Sequence, residues 1–135
     1  MALKEKINDF SKSVERLKEA WEKADKYKNN EDYPFFRDSA IQRFEFTTEI
    51  MWKTIKEFLS KKEGIVCKSP KGCIREFFSA GYLNPEETTS LLEMIDSRNK
   101  TTHTYHENIA EEIFHSLKKY IPLIEKVLRI ILEKV

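Results

Sequence analysis

The sequence predicts an all-α fold, an antiparallel up-and-down bundle of four to five helices. Three observations carry that expectation. Apolar residues recur at helical three-and-four spacing through most of the 135 residues. Only 3 glycines and 4 prolines occur. No alternating pattern of the kind a half-buried strand needs persists along the chain. The length suits one domain, residues 1–135. A domain of that size buries roughly 68% of its unfolded surface.

The first segment carries Leu3, Ile7, Phe10, Val14, Leu17, Trp21 and Ala24, one apolar stripe on a helix with lysine and glutamate opposite. The stretch KNNEDYP breaks it, with Asp32 placed to cap the next helix and Pro34 in its first turn. The second helix runs through FFRDSAIQRFEFTTEIMWKTIKEFLS on a stripe of Ile41, Phe44, Thr48, Met51, Ile55 and Leu59. Phe46 and Trp52 lie off that stripe, so the helix is expected to meet neighbours on more than one side. A loop with Gly64, Pro70 and Gly72 leads into a short helix capped by Ser69 and stopped at Gly81. Asn84 and Pro85 open a fourth helix in the same way.

The last helix has two stripes. Ile109, Ile113, Leu117, Tyr120, Ile124, Val127 and Ile131 form one; Phe114, Ile121, Leu128 and Val135 form another about 100° away. The second stripe marks either a central helix of the bundle or a dimer face. Pro122 is expected to bend this helix or weaken one turn.

A net charge of +1 gives no global field toward nucleic acid or membrane. The opening MALKEKINDF does not read as a secretory signal. No apolar run approaches the roughly 20 residues that span a bilayer. Cys67 and Cys73 are too few for a disulfide framework and read as reduced thiols in a cytoplasmic protein, a regulatory disulfide being the minor alternative. Metal ligands are sparse. Glu112 and His115 form one Glu-x-x-His pair where a di-iron bundle needs two, so His115 is expected to face solvent. No glycine-rich phosphate loop occurs. Lys61, Lys62, Lys68, Lys71 and Arg75 make a local basic loop, read mainly as solvated and secondarily as a nucleic-acid contact.

Chemistry concentrates in RNKTTHTYHE, Arg98 to Glu107. Thr104-Tyr105-His106-Glu107 fits a capping box for the last helix. Arg98 would then end the preceding helix, and His103 would sit at the positive end of the new one, which favours a neutral imidazole able to act as a base. An arginine, a histidine and a helix N-terminus suit phosphoryl transfer without a metal. The plainer reading is a capped helix whose Arg98 pairs with an acid while His103 packs.

The spacing Arg98-x4-His103-x-Tyr105 resembles the R-x4-H-x-Y pattern of the HEPN superfamily, in its HepT toxin branch. RDSAIQRFEFTTEIMWKTIKEFL, SPKGCIREFFSAG and RNKTTHTYHENIAEEI are similar, in that order, to nucleotidyltransferase substrate-binding proteins, so the resemblance covers nearly the whole chain. It implies a homodimer, no cofactor or metal, no membrane association, and a type VII-like toxin–antitoxin pair. In nuclease members the motifs of both chains share one cleft. Carried onto this chain, His103 would be general base and acid toward RNA, Arg98 would stabilise the phosphorane charge, and Asn99 would support them. Tyr105 matches the tyrosine adenylylated (AMPylated) by a separate minimal nucleotidyltransferase, the MntA-like antitoxin. Neither a Gly-Ser nor an Asp-x-Asp occurs here, so this chain is not itself the transferase. The alternative is a non-catalytic substrate-binding subunit of such a complex.

Overall fold

The structure, a computed structural model, describes residues 2–135. Those residues form five α-helices: α1 (Leu3–Lys26), α2 (Tyr33–Glu63), α3 (Pro70–Ser79), α4 (Pro85–Asn99) and α5 (Glu107–Lys134). A 3-10 turn, Lys100–His103, joins α4 to α5. This is the all-α bundle that the periodicity predicts.

Side-chain pairs fix the helix directions. Thr47 Oγ1 on α2 donates to the Ser13 carbonyl at 3.2 Å, and Thr54 Oγ1 to the Lys6 carbonyl at 3.5 Å. Rising numbers on α1 therefore meet falling numbers on α2. The same holds between α2 and α5, where Tyr33 meets Glu111 and Arg37 meets Glu107. Between α4 and α5, Ser97 meets Tyr120 and Glu87 meets Lys126. The bundle is antiparallel throughout these pairs, as short connections between helices require. The hydroxyls of Thr47, Thr48 and Thr54 also bond back to carbonyls one turn earlier, which satisfies them inside the core.

Every member of the α2 stripe is buried, and α2 touches all four other helices. It does so without Phe46, which remains 46% exposed. The second stripe of α5 is core rather than a free dimer face, for Phe114 is 3% and Ile121 6% exposed within one chain. Phe114 meets the Tyr33 ring edge-on at 5.8 Å, so α2 and α1 already cover that side. Leu128 is partly buried and Val135 exposed. The helix continues through Pro122 without interruption.

Termini follow local chemistry where the sequence marks them clearly. Asn84 and Glu87 form a reciprocal capping box on α4, with bonds of 2.7 and 2.8 Å. Ser69 accepts from the Gly72 N–H at 3.0 Å, and a Cβ on Gly72 would lie 2.7 Å from that serine oxygen. Gly64 ends α2 at φ 66°, a conformation cheap for glycine alone. Asp32 occupies the cap position of α2, but its side chain makes no capping bond.

The cysteines need correction. Cys67 and Cys73 are bonded to each other, not free thiols. Cys67 lies two residues before the Ser69 cap and Cys73 in the first turn of α3. The two Cα atoms come within 5.1 Å, inside the range a disulfide spans. Both residues are buried.

Two substitutions test this packing. Phe114→Ala should destabilise the fold by about 3–5 kcal/mol, and Phe114→Glu should unfold the chain rather than yield a soluble monomer, read by circular dichroism and gel filtration. Asn84→Ala should cost about 1 kcal/mol in denaturant titration.

Candidate functional site

The α4–α5 junction is built around a buried arginine on α2. Arg37 is 2% exposed, one turn before Ile41 on the stripe that faces the core. Its Nη1 donates to Glu107 at 2.6 Å and to Glu111 at 3.3 Å, its Nη2 to Glu107 at 3.2 Å, and its Nε to Asp38 at 3.0 Å. The Tyr33 ring covers the guanidinium at 5.8 Å, and the Tyr33 hydroxyl donates to Glu111 at 2.6 Å. A guanidinium taken out of water requires this full set of acceptors. The bonds from Arg37 hold the Glu107 carboxyl below its ordinary value. Burial, followed by the Glu111 carboxylate, pushes the Tyr33 phenol up.

This clamp explains why the expected capping box is absent. Glu107 is the first residue of α5 and its carboxylate belongs to Arg37, so it does not turn back to Thr104. Thr104 is in the right-handed helical region (φ −73°, ψ −4°), which continues the 3-10 turn where a cap needs extended backbone. Its hydroxyl donates to the Thr101 carbonyl at 3.2 Å. His106, extended at φ −87° and ψ 116°, is the residue that precedes α5.

Arg98 lies in the last turn of α4, half-buried. Its Nη2 stands 3.4 Å from Glu49 Oε2 on α2, and its Nε is buried with no partner among the described residues. Glu49 also accepts from Trp52 Nε1 at 3.1 Å and from Lys53 at 3.2 Å. Burial would raise the Glu49 carboxyl, but Trp52, Lys53 and Arg98 together bring it below its ordinary value. Beside this pair, the buried Thr101 hydroxyl lies 2.8 Å from Glu45 and 2.7 Å from the Arg98 carbonyl. These contacts hold the 3-10 turn against α2.

The turn then presents its rings outward. His103 closes the turn, exposed, and its carbonyl accepts from the His106 N–H at 3.1 Å. Tyr105 is 73% exposed, with its ring 6.2 Å from that of His103 and 4.3 Å from that of His106. Asn99, the last residue of α4, is exposed. Arg98, Asn99, His103 and Tyr105 thus fall on one helix end and one turn. Of the plainer reading, the acid partner of Arg98 exists, but His103 does not pack into the core. His115 faces solvent. Among the described residues no three His, Cys, Asp or Glu side chains gather as metal ligands, and no helix is long and apolar enough to cross a membrane. In the basic loop, Lys71 pairs with Asp96 on α4 at 2.6 Å.

Sequence reasoning missed Arg37, Glu45, Glu49 and Lys53. A signal existed for Arg37, an arginine in register with an apolar stripe. None existed for Glu45 and Glu49, ordinary acids on a helix about 50 residues away in sequence.

The bundle has the architecture of HEPN-type folds. A tri-AMPylated HEPN toxin of Shewanella oneidensis, solved in complex with its MNT antitoxin, superposes with a TM-score of 0.75 at 15% identity, over 97% of this chain and 98% of that one. A Haemophilus influenzae protein, described as having the fold of a substrate-binding domain of a nucleotidyltransferase, gives 0.76 at 18% identity, over 93% and 98%. Sequence places the chain more narrowly: it belongs to the family described as nucleotidyltransferase substrate binding protein like, whose model matches residues 5–132. A crystal structure of a Thermus thermophilus protein is 41% identical, with a TM-score of 0.72, over 85% of this chain and 98% of that one. No curated protein matches the chain.

The depressed Glu107 and Glu49 carboxyls contribute to the acid response of the fold. The unfolded chain binds those protons more readily, so their stabilisation is present above about pH 4.5 and lost as pH falls through the lower folded values. Melting temperature should therefore drop on acidification in the wild type. Arg37→Met keeps the aliphatic bulk, removes the Glu107 share and should give a shallower drop across the same range.

Proposed function

We propose that this chain is a HepT-like toxin: a homodimeric, cytoplasmic ribonuclease that uses Arg98 and His103 without a metal. A separate minimal nucleotidyltransferase neutralises it by adenylylating Tyr105. The observation that carries the reading is the placement of an exposed His103 and an exposed Tyr105 on one short turn directly after the half-buried Arg98.

In this mechanism His103 takes the proton of an RNA 2′-hydroxyl as that oxygen attacks the adjacent phosphorus. The bond to the 5′-oxygen breaks, and the protonated imidazole returns a proton to it, leaving a 2′,3′-cyclic phosphate and a 5′-hydroxyl. General acid–base help of this kind is worth roughly 10²–10⁴-fold. Arg98 stabilises the charge that builds on the phosphorane, and Glu49 engages it through one nitrogen only. Asn99 supports the arginine from the adjacent position. When the Tyr105 phenol attacks the α-phosphorus of ATP, pyrophosphate leaves and a bulky anion stays beside His103, which opposes RNA by sterics and repulsion.

Two observations favour the second reading, a non-catalytic subunit that complexes with the transferase. The matched family is described by substrate binding, and Arg98 already faces a carboxylate. Expression of the chain alone in a bacterial host, beside His103→Ala, separates the readings. Growth arrest with cleaved RNA in the wild type, absent in the variant, is the expected result. Equal growth with intact RNA, from protein shown to be folded and abundant, would establish the binding subunit instead.

A further inference from the structure

Away from the turn, the α1–α2 seam opens into a groove of about 400 Å³. Lys6, Lys12 and Arg16 line it from α1, and Arg43 and Lys53 from α2, with Asp9 as the one carboxylate. Five cations against one acid leave an excess of four positive charges, in a chain whose net charge is only +1. Some lysines elsewhere reach an acid on a neighbouring helix, as Lys18 does Glu125, Lys71 Asp96 and Lys119 Glu93, while scattered ones such as Lys56 and Lys118 do not. The groove differs in gathering its cations on facing helices. Among the described residues Lys6, Lys12, Arg16 and Arg43 have no such partner. Like charges facing one another across a groove repel, and a polyanion laid between them relieves that repulsion.

The groove is not isolated from the junction. At 100° per residue, Arg43, Phe46, Ile50 and Lys53 share one outward stripe of α2, and Phe46 is the exposed aromatic on it. Lys53 touches Glu49 Oε1 at 3.2 Å, and Glu49 Oε2 faces Arg98 at 3.4 Å. The groove and Arg98 therefore flank the same exposed face of α2 and are linked through one carboxylate. From Lys6 to Arg16 the rim runs about 15 Å by helical rise, too long for one phosphate. Cations along a track with an exposed aromatic beside them match single-stranded nucleic acid, whose backbone repeats a charge and whose bases stack on rings. An acidic protein surface would also satisfy the cations, and aromatic side chains are common at protein interfaces, so partner binding is measured beside RNA binding.

We infer that the α1–α2 groove, with Phe46 at its edge, is the track that holds single-stranded RNA on its way to Arg98. The identity of the strand as substrate rests on the ribonuclease reading above; the binding itself does not. The test uses the full chain carrying His103→Ala, so that RNA survives, and a 5′-labelled single-stranded RNA of about 20 nucleotides followed by fluorescence anisotropy against salt. Lys12→Glu/Arg16→Glu/Arg43→Glu should weaken binding at least ten-fold at low salt and flatten the salt slope by about 2, since each phosphate contact on a single strand contributes roughly 0.7. Lys12→Gln/Arg16→Gln/Arg43→Gln should weaken it less but measurably, and Phe46→Ala about five-fold or more. A control triple at exposed sites elsewhere, Lys26→Glu/Lys28→Glu/Lys134→Glu, should change it little; melting curves confirm that each variant folds.

Equal losses in both charge-reversed triples, or unchanged binding in the groove triple, would overturn the proposal. So would a groove triple that keeps RNA but loses the partner nucleotidyltransferase, which would make the groove a protein interface. Groove-dependent binding in a chain whose wild type cuts no RNA would sink the nuclease reading and leave the track standing. Cleavage by the wild type with groove-independent binding would do the reverse.

Discussion

The buried guanidinium of Arg37 is the constraint from which the rest of the junction follows. An arginine at 2% exposure has to find acceptors, and it finds Glu107 and Glu111 at the start of α5 and Asp38 on its own helix. Once Glu107 is committed to that task, α5 begins at Glu107 and no earlier. The seven residues left between α4 and α5 form a 3-10 turn and a short junction whose threonine hydroxyls bond inward and whose rings are exposed. The exposed His103 and Tyr105 thus lie on a junction whose far end is set by a core arginine on another helix.

α2 is the second organising element, because two of its faces do different work. Its inner stripe supplies the core, and its threonine hydroxyls fold back on their own carbonyls so that α1 can approach closely. Its outer side carries Glu45 and Glu49, which hold the 3-10 turn and Arg98, and then Phe46 and Lys53 toward the basic groove. One helix therefore sets the position of the arginine and the charge around it. Glu49 balances Trp52, Lys53 and Arg98 at once, so a change at any of them alters the field at the others.

Similar bundles occur in solved structures at 15% and 18% identity because a bundle asks mainly for apolar stripes of the right period and short connections. Such a fold accommodates many sites, and function has to be argued from the site. In this chain the candidate site is a helix end and a turn, the kind of place where backbone donors, a half-buried cation and exposed rings can coexist without weakening the core.

Helix number, order and core were legible in the residues themselves, because burial follows a period that the sequence carries openly; Ile41 to Leu59 and Ile113 to Ile131 are examples. The caps at Ser69 and Asn84 were legible, while Asp32 and Thr104, equally local signals, make no capping bond. The four candidate residues Arg98, Asn99, His103 and Tyr105 could be named because their pattern spans eight positions. Tertiary structure decided what lay across the bundle. It assigned Glu107 to Arg37 instead of Thr104, made Phe114 and Ile121 core instead of a dimer face, joined Cys67 to Cys73, and set Glu49 against Arg98. Each of these is a choice among partners with similar local claims. Distance in space settles such choices, and neither composition nor period encodes it.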